Sequence, residues 1–169
     1  MKKYTLEEAK RLLNENKLAE AGAAFDILLA DKRDQPDLWY LRGLVSLKVK
    51  NYPYAHDCFE QARTIKKKTD YYKINGMAYM EQYKLQEALE EFESALENEK
   101  KDPELYFYSA LCCLFLNDNH AQNYFELAYA LDKKKMKNMI KNFFEVFFRG
   151  DTHIDEKTKQ AINQKIERM

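Results

Sequence analysis

The chain has 169 residues, enough for a buried core, and its 28 basic and 28 acidic side chains cancel to a net charge of zero. That balance removes the global electrostatic argument for nucleic acid or an anionic membrane as partner. A composition 46% hydrophobic and 33% charged excludes a disordered chain, and four Gly and three Pro are too few for a many-turned β domain.

Met1-Lys2-Lys3-Tyr4 runs straight into Leu6-Glu7-Glu8-Ala9 with no apolar signal core. The first small marker follows at Ala9, and twelve residues later comes a second series, Ala21, Phe25 and Leu28. The same series returns every 33 or 34 positions as Ala55/Phe59/Ala62, Ala88/Phe92/Ala95 and Ala121/Phe125/Ala128. Its steps of three and four place the members on one face of a helix. An upstream helix in each copy carries its own small residue, Ala9, Gly43, Gly76 and Ala110, preceded by an aromatic in three copies: Trp39, Tyr72 and Tyr106. Glycine inside a helix costs stability, so small residues held in phase predict a knob-and-notch approach of the two helices. The period predicts a single repeat domain over 1–169, divided as 2–35, 36–68, 69–102 and 103–135, with 136–169 as a degenerate fifth hairpin that caps the stack.

Several local signals refine these copies. Pro36 and Pro103 each fall fifteen residues after a marker alanine, where they start the next repeat, and Pro103 after Asp102 fits a first helical turn. The fourth copy loses a residue in its inner turn, around Asn117-Asp118-Asn119. Beyond it, 136–148 reads as an aromatic helix, Gly150-Asp151-Thr152 as its stop, and about 155–168 as a last helix. Ile154, Thr158 and Ala161 fall 33 residues after Ala121, Phe125 and Ala128, and Lys157, Lys159, Gln160, Gln164 and Lys165 supply a polar outer face.

Tyr72-x2-Asn75-Gly76-x2-Tyr79 followed by Ala88-x3-Phe92, and Trp39-x2-Arg42-Gly43 followed by Ala55-x3-Phe59, resemble the tetratricopeptide repeat. The resemblance covers roughly residues 2–135. It departs from the family pattern where Ser46 and Cys113 replace a tyrosine and where the proline near the repeat end is missing. It implies an all-α fold, a right-handed superhelical stack of helix-turn-helix hairpins with a C-terminal capping helix pair. It also implies a protein-binding scaffold whose first helices line a concave groove. The groove positions are then Leu6, Lys10 and Leu13, next Tyr40, Leu44 and Leu47, next Lys73, Met77 and Met80, and last Phe107, Leu111 and Leu114. Most are apolar, and methionine and aromatic side chains suit adaptable recognition of an apolar or amphipathic peptide segment. Burial of the same positions by neighbouring helices, by the aromatic helix at 136–148 or by a second copy of the chain is the competing expectation. Family members that clamp an acidic chaperone carboxyl terminus need polar groups where Leu44 and Met77 stand, so only Lys73 fits that use.

Chemistry is sparse elsewhere. His56, His120 and His153 occupy non-equivalent places and read as surface histidines. No Gly-rich phosphate loop, G-x-S-x-G elbow or H-E-x-x-H pair occurs, so no enzyme activity, cofactor or metal is expected. Cys58, Cys112 and Cys113 are an odd number with no C-x2-C spacing, which points to free thiols filling a helix face and a reducing, cytoplasmic setting. Leu105 to Leu116 is too short and interrupted to span a bilayer. Glu87, Glu90, Glu91, Glu93 and Glu97 read as a solvated helix face. Basic clusters recur at the repeat junctions, Lys32-Arg33, Lys66-Lys67-Lys68, Lys100-Lys101 and Lys133-Lys134-Lys135, where cations complement helix C-termini. A polyanion-binding ridge and a dedicated client chaperone, similar to those serving bacterial secretion translocators, are the alternative functions.

Overall fold

Alternating small and aromatic residues on paired amphipathic segments produce paired helices throughout the computed structural model, which describes residues 3–147 and 155–168. Ten helices lie among the described residues: α1 Leu6–Asn14, α2 Leu18–Asp31, α3 Pro36–Lys48, α4 Tyr52–Ile65, α5 Thr69–Glu81, α6 Leu85–Asn98, α7 Pro103–Phe115, α8 Ala121–Leu131, α9 Lys133–Phe147 and α10 Glu156–Arg168. The fold is an all-α stack of helical hairpins. The chain divides into two compact units, Met1–Lys100 with α1–α6 and Lys101–Met169 with α7–α10.

In the first unit the phased residues form the core. Ala21, Phe25, Ala55, Phe59, Ala62, Ala88, Phe92 and Ala95 are fully buried. The notch is literal: a Cβ added to Gly43 would stand 2.5 Å from Phe59 Cε1, and one added to Gly76 would stand 2.6 Å from Phe92 Cε1. The knob is therefore the phenylalanine of the second helix, and glycine is required by this approach. Helix starts follow local chemistry. Thr5 and Glu8 form a capping box on α1, Asn51 caps α4, and Pro36 opens α3.

From α1 to α8 each inner turn ends its first helix with one residue in the left-handed region: Asn16 (φ 58°), Lys50 (57°), Tyr83 (58°) and Asn117 (57°). The next residue's N–H reaches back to the helix, as Lys17 N to Leu12 O at 2.9 Å and Asn51 N to Ser46 O at 2.9 Å. This is the paired-bond helix ending that glycine usually serves, here without glycine.

In the second unit Asp102 accepts a hydrogen bond from Glu104 N at the start of α7, as expected before Pro103. Ala110 and Ala128 are buried. The missing residue of the fourth copy leaves the Asn117 turn intact and instead removes the first turn of the second helix. α8 has 11 residues where α2, α4 and α6 each have 14. The expected stop at Gly150-Asp151-Thr152, together with Phe148, His153 and Ile154, lies outside the described residues.

Candidate functional site

The first helices of the first unit each present a mixed stripe. On α3 Tyr40, Leu44 and Leu47 are half-buried, and on α5 Lys73, Met77 and Met80 are half-buried. Steps of four and three keep each trio on one helix face. Residues on other faces of the same helices are buried: Leu38 and Val45 on α3, Tyr71 and Ala78 on α5. On α1, Leu6 and Lys10 are half-buried while Leu13 belongs to the core.

Polar contacts lock α3 beside α5. The Tyr71 hydroxyl donates to Asp37 Oδ1 at 2.5 Å and Lys68 Nζ donates to the same oxygen at 2.6 Å. These two donors hold the Asp37 carboxyl below the usual carboxylate range. Burial first, and then Asp37, push the Tyr71 phenol up to about 12. The Tyr40 ring sits 5.2 Å from Tyr71 and 5.9 Å from Phe59. Burial, then Asp70, raise the Tyr40 phenol while Lys73 opposes them, so an acid and a base share this aromatic neighbourhood.

Behind the stripes, two polar assemblies join neighbouring hairpins. Arg42 donates to both carboxylate oxygens of Asp26 at 2.7 and 3.2 Å and to Ser46 Oγ at 2.8 Å, and it lies over the Tyr54 ring. Ser46, which stands where the repeat pattern has tyrosine, thereby serves this arginine. In the second assembly Glu91 accepts from Arg63 Nη1 at 2.7 and 2.8 Å and from Asn75 Nδ2 at 2.9 Å. Asn75 Oδ1 meets His56 Nδ1 at 2.6 Å, and Gln82 Nε2 meets His56 Nε2 at 2.9 Å. Both Glu91 oxygens face the Arg63 donor and Oε1 also faces Asn75 Nδ2, so Asn75 turns its NH2 towards Glu91 and its oxygen towards His56. That order assigns the imidazole proton to Nδ1. Arg63 also pairs with Glu60, and His56 stacks on Tyr79 with centroids 3.9 Å apart.

Two expectations are corrected here. Glu91 is not part of a solvated face: it is 9% exposed, because the half-buried Arg63 and buried Asn75 need an acceptor. His56 is a half-buried link between α4 and α5, not a surface histidine. His120 is exposed and bonds Asp118 at 2.7 Å.

The second unit treats the same stripe differently. Phe107 and Leu111 are each 3% exposed and Leu114 is 53% exposed. The Phe143 ring of α9 stands 6.4 Å from Phe107, edge-on, and 6.3 Å from Phe115, so it sits along the row that contains Leu111. Phe125 meets Phe107 from α8 at 5.9 Å. Phe107 and Leu111 are thus buried positions, Phe107 against the chain's own aromatic helix, which corrects their reading as an open groove wall.

The thiols are inert packing groups. Cys58, Cys112 and Cys113 are free and buried, and burial pushes Cys58 up to about 11 and Cys112 up to about 12. The junction lysines do not uniformly complement helix C-termini. Lys68 is the N-cap of α5 and pairs with Asp37, and Lys133, Lys134 and Lys135 form the first turn of α9, where Lys135 pairs with Glu104 at 2.7 Å. Among the described residues no helix is long and apolar enough to cross a membrane, and no group of three or more His, Cys, Asp or Glu is placed to hold a metal ion.

Small-residue notches, phenylalanine knobs and left-handed inner turns at a 33- or 34-residue period build a stack of helical hairpins, and this fold is similar to that of tetratricopeptide-repeat proteins. Solved structures with this fold include MamA, 18% identical with a TM-score of 0.73 over 78% of each chain. MamA from Desulfovibrio magneticus RS-1 is 20% identical with a TM-score of 0.68, over 76% of this chain and 74% of its own. YrrB, described as a TPR protein with an unusual peptide-binding site, is 19% identical with a TM-score of 0.67, over 94% of this chain and 90% of its own. No protein-family model matches the chain, and no curated protein matches it in sequence.

Proposed function

We propose that the protein is a non-enzymatic interaction scaffold, and that Tyr40, Leu44, Leu47, Lys73, Met77 and Met80 receive an apolar or amphipathic segment of a protein partner. One contrast carries this reading. The stripe in the first unit leaves its apolar side chains only half-buried, while the equivalent stripe in the second unit is covered at Phe107 and Leu111. The peptide-binding site described for YrrB, on the same fold, supports it. The mechanism is preformed complementarity. Helices held at fixed spacing by the glycine notches and by the Asp37–Tyr71 and Asn75–Glu91 bonds present five apolar side chains, and Lys73 meets an acidic group of the partner. Removing apolar surface from water is worth about 25 cal/mol per Å², against which the cost of association is set.

Affinity capture with the wild-type chain and with Leu44→Glu/Met77→Glu tests the reading. A protein retained by the wild type and lost by a variant of unchanged helicity is the expected result. Loss of helicity in the variant would place both side chains in the core. Equal capture by both proteins would move the binding face elsewhere.

A further inference from the structure

The junction between α8 and α9 differs from the other junctions between hairpins. Those have three or four residues between helices, and two of the following helices open on Pro36 and Pro103. Here a single residue, Asp132, separates Leu131 from Lys133. Asp132 (φ −154°, ψ 91°) closes both helices. Its N–H donates to Ala128 O at 3.2 Å, its carbonyl accepts from Met136 N at 2.9 Å, and its carboxylate accepts from Lys135 N at 2.8 Å. No glycine or proline occurs from Ala121 to Phe147. A stretch with no breaker, interrupted at one residue, has a continuous helix as its nearest alternative.

Two further observations favour that alternative. Lys133, Lys134 and Lys135 crowd the positive end of the α9 dipole, an unfavourable position that disappears when the helix runs through. The lock that ties earlier hairpins is also missing from α9–α10. Phe143 occupies the register of Gly43, Gly76 and Ala110, while Thr158, at the register of the knob, is exposed and bonded to Asp155. Phe143 turns to α7 instead, and α10 is tied to α9 through Lys137 and Lys141 on Glu167. α9 and α10 therefore form an arm seated on α7 by one face of α9.

We propose that Asp132 is a hinge at which α8 and α9 straighten into one helix from Ala121 to Phe147, and that two copies in this state dimerise by seating each α9 on the other's α7. Straightening lifts Phe143 away from Phe107 and Phe115. A second copy brings the same Phe143, already shaped to that surface, and exchange of an identical element is a low-cost route to a dimer. The inference concerns the second unit and is independent of the stripe on α3 and α5.

Two substitutions push the hinge in opposite directions. Asp132→Ala removes the side-chain cap and favours the straight helix, so it strengthens dimerisation by about fivefold per chain and about twenty-five-fold per dimer, since two hinges straighten. Lys133→Pro fits the first position of a separate α9 and the extended Asp132 before it, but breaks a continuous helix, so it holds the chain monomeric. Light scattering behind size exclusion, run over a wide concentration range on the full chain, reads both. In dimers made from differently isotope-labelled chains, NOEs between Phe107 and Phe143 should cross from one chain to the other. Asp132→Gln repeats the first test if the alanine variant does not fold. Monomeric Asp132 variants, a Lys133→Pro chain that dimerises like the wild type, or Phe107–Phe143 NOEs confined to one chain would each overturn the proposal.

Discussion

Three glycines in helices show how a single Cβ changes sign with its surroundings. Gly76 faces the Phe92 ring, and a Cβ there would approach Cε1 to 2.6 Å, so Gly76→Ala must displace a fully buried aromatic. Overpacking of this kind typically costs about 1–3 kcal/mol, more than the gain in helix propensity returns. Gly43 faces Phe59 in the same way. Gly22 does not: its nearest neighbour would be the Arg42 guanidinium carbon at 3.6 Å, an ordinary contact. Gly22→Ala should therefore raise stability by about 0.5–1 kcal/mol while Gly76→Ala lowers it, and urea midpoints of the two variants must move in opposite directions. The inner turns give the converse case. Tyr83 is 87% exposed and holds φ at 58°, a conformation that strains any residue with a Cβ. Tyr83→Gly should stabilise the chain by about 1 kcal/mol, with little packing to lose. A lower melting temperature for that variant would mean the tyrosine ring contributes more than the turn costs.

At the scale of helices, the joint between α3 and α5 is electrostatic as well as apolar, and its pH dependence has a definite sign. The Asp37 carboxyl is held low in the folded chain by Lys68 and Tyr71. Its contribution is complete above the ordinary carboxylate range and is lost as pH falls through the depressed folded value. The Tyr71 phenol is raised to about 12, so its contribution is present below about 10 and fades between there and about 12. Asp37→Asn should therefore lower the unfolding midpoint at neutral pH, by at most about 1 kcal/mol because the pair is largely exposed, and the gap from wild type should close in acid. A gap that stays constant as pH falls would remove the ionic role of Asp37. These helices were legible in the sequence because the period repeats small and aromatic residues that must touch, as Gly43 touches Phe59. Other features were hidden for physical reasons. The left-handed turns at Lys50 and Tyr83 lack the glycine that normally announces them. Glu91 and His56 read as surface because a charged or titratable residue signals burial only through partners on other helices. The second-unit part of the candidate site had the same limit: Tyr40 and Phe107 occupy one register, and what stands against the second is Phe143, thirty-six residues further on.

Across the whole molecule, charge is balanced locally as well as in total. Lys32-Arg33 lies between Asp31 and Asp34, Lys100-Lys101 between Glu99 and Asp102, and Lys133-Lys134-Lys135 follows Asp132. Lys68 is bonded to Asp37 and Lys135 to Glu104. These basic clusters stand beside acids in this way, and each acid reduces the field that a phosphate backbone would meet. Polyanion binding depends on releasing condensed counterions, so its affinity falls steeply with salt, by a slope of roughly −0.7 per phosphate neutralised on a single strand. An apolar stripe has no such dependence, since burial of Leu44, Met77 and Met80 releases water and not ions. The chain should therefore fail to retard single-stranded RNA at physiological salt, and its affinity for a protein partner should stay nearly flat from low to high salt. Loss of that affinity with rising salt, along a slope that Lys66→Ala/Lys67→Ala reduces, would transfer the binding face from the stripe on α3 and α5 to the lysine junctions.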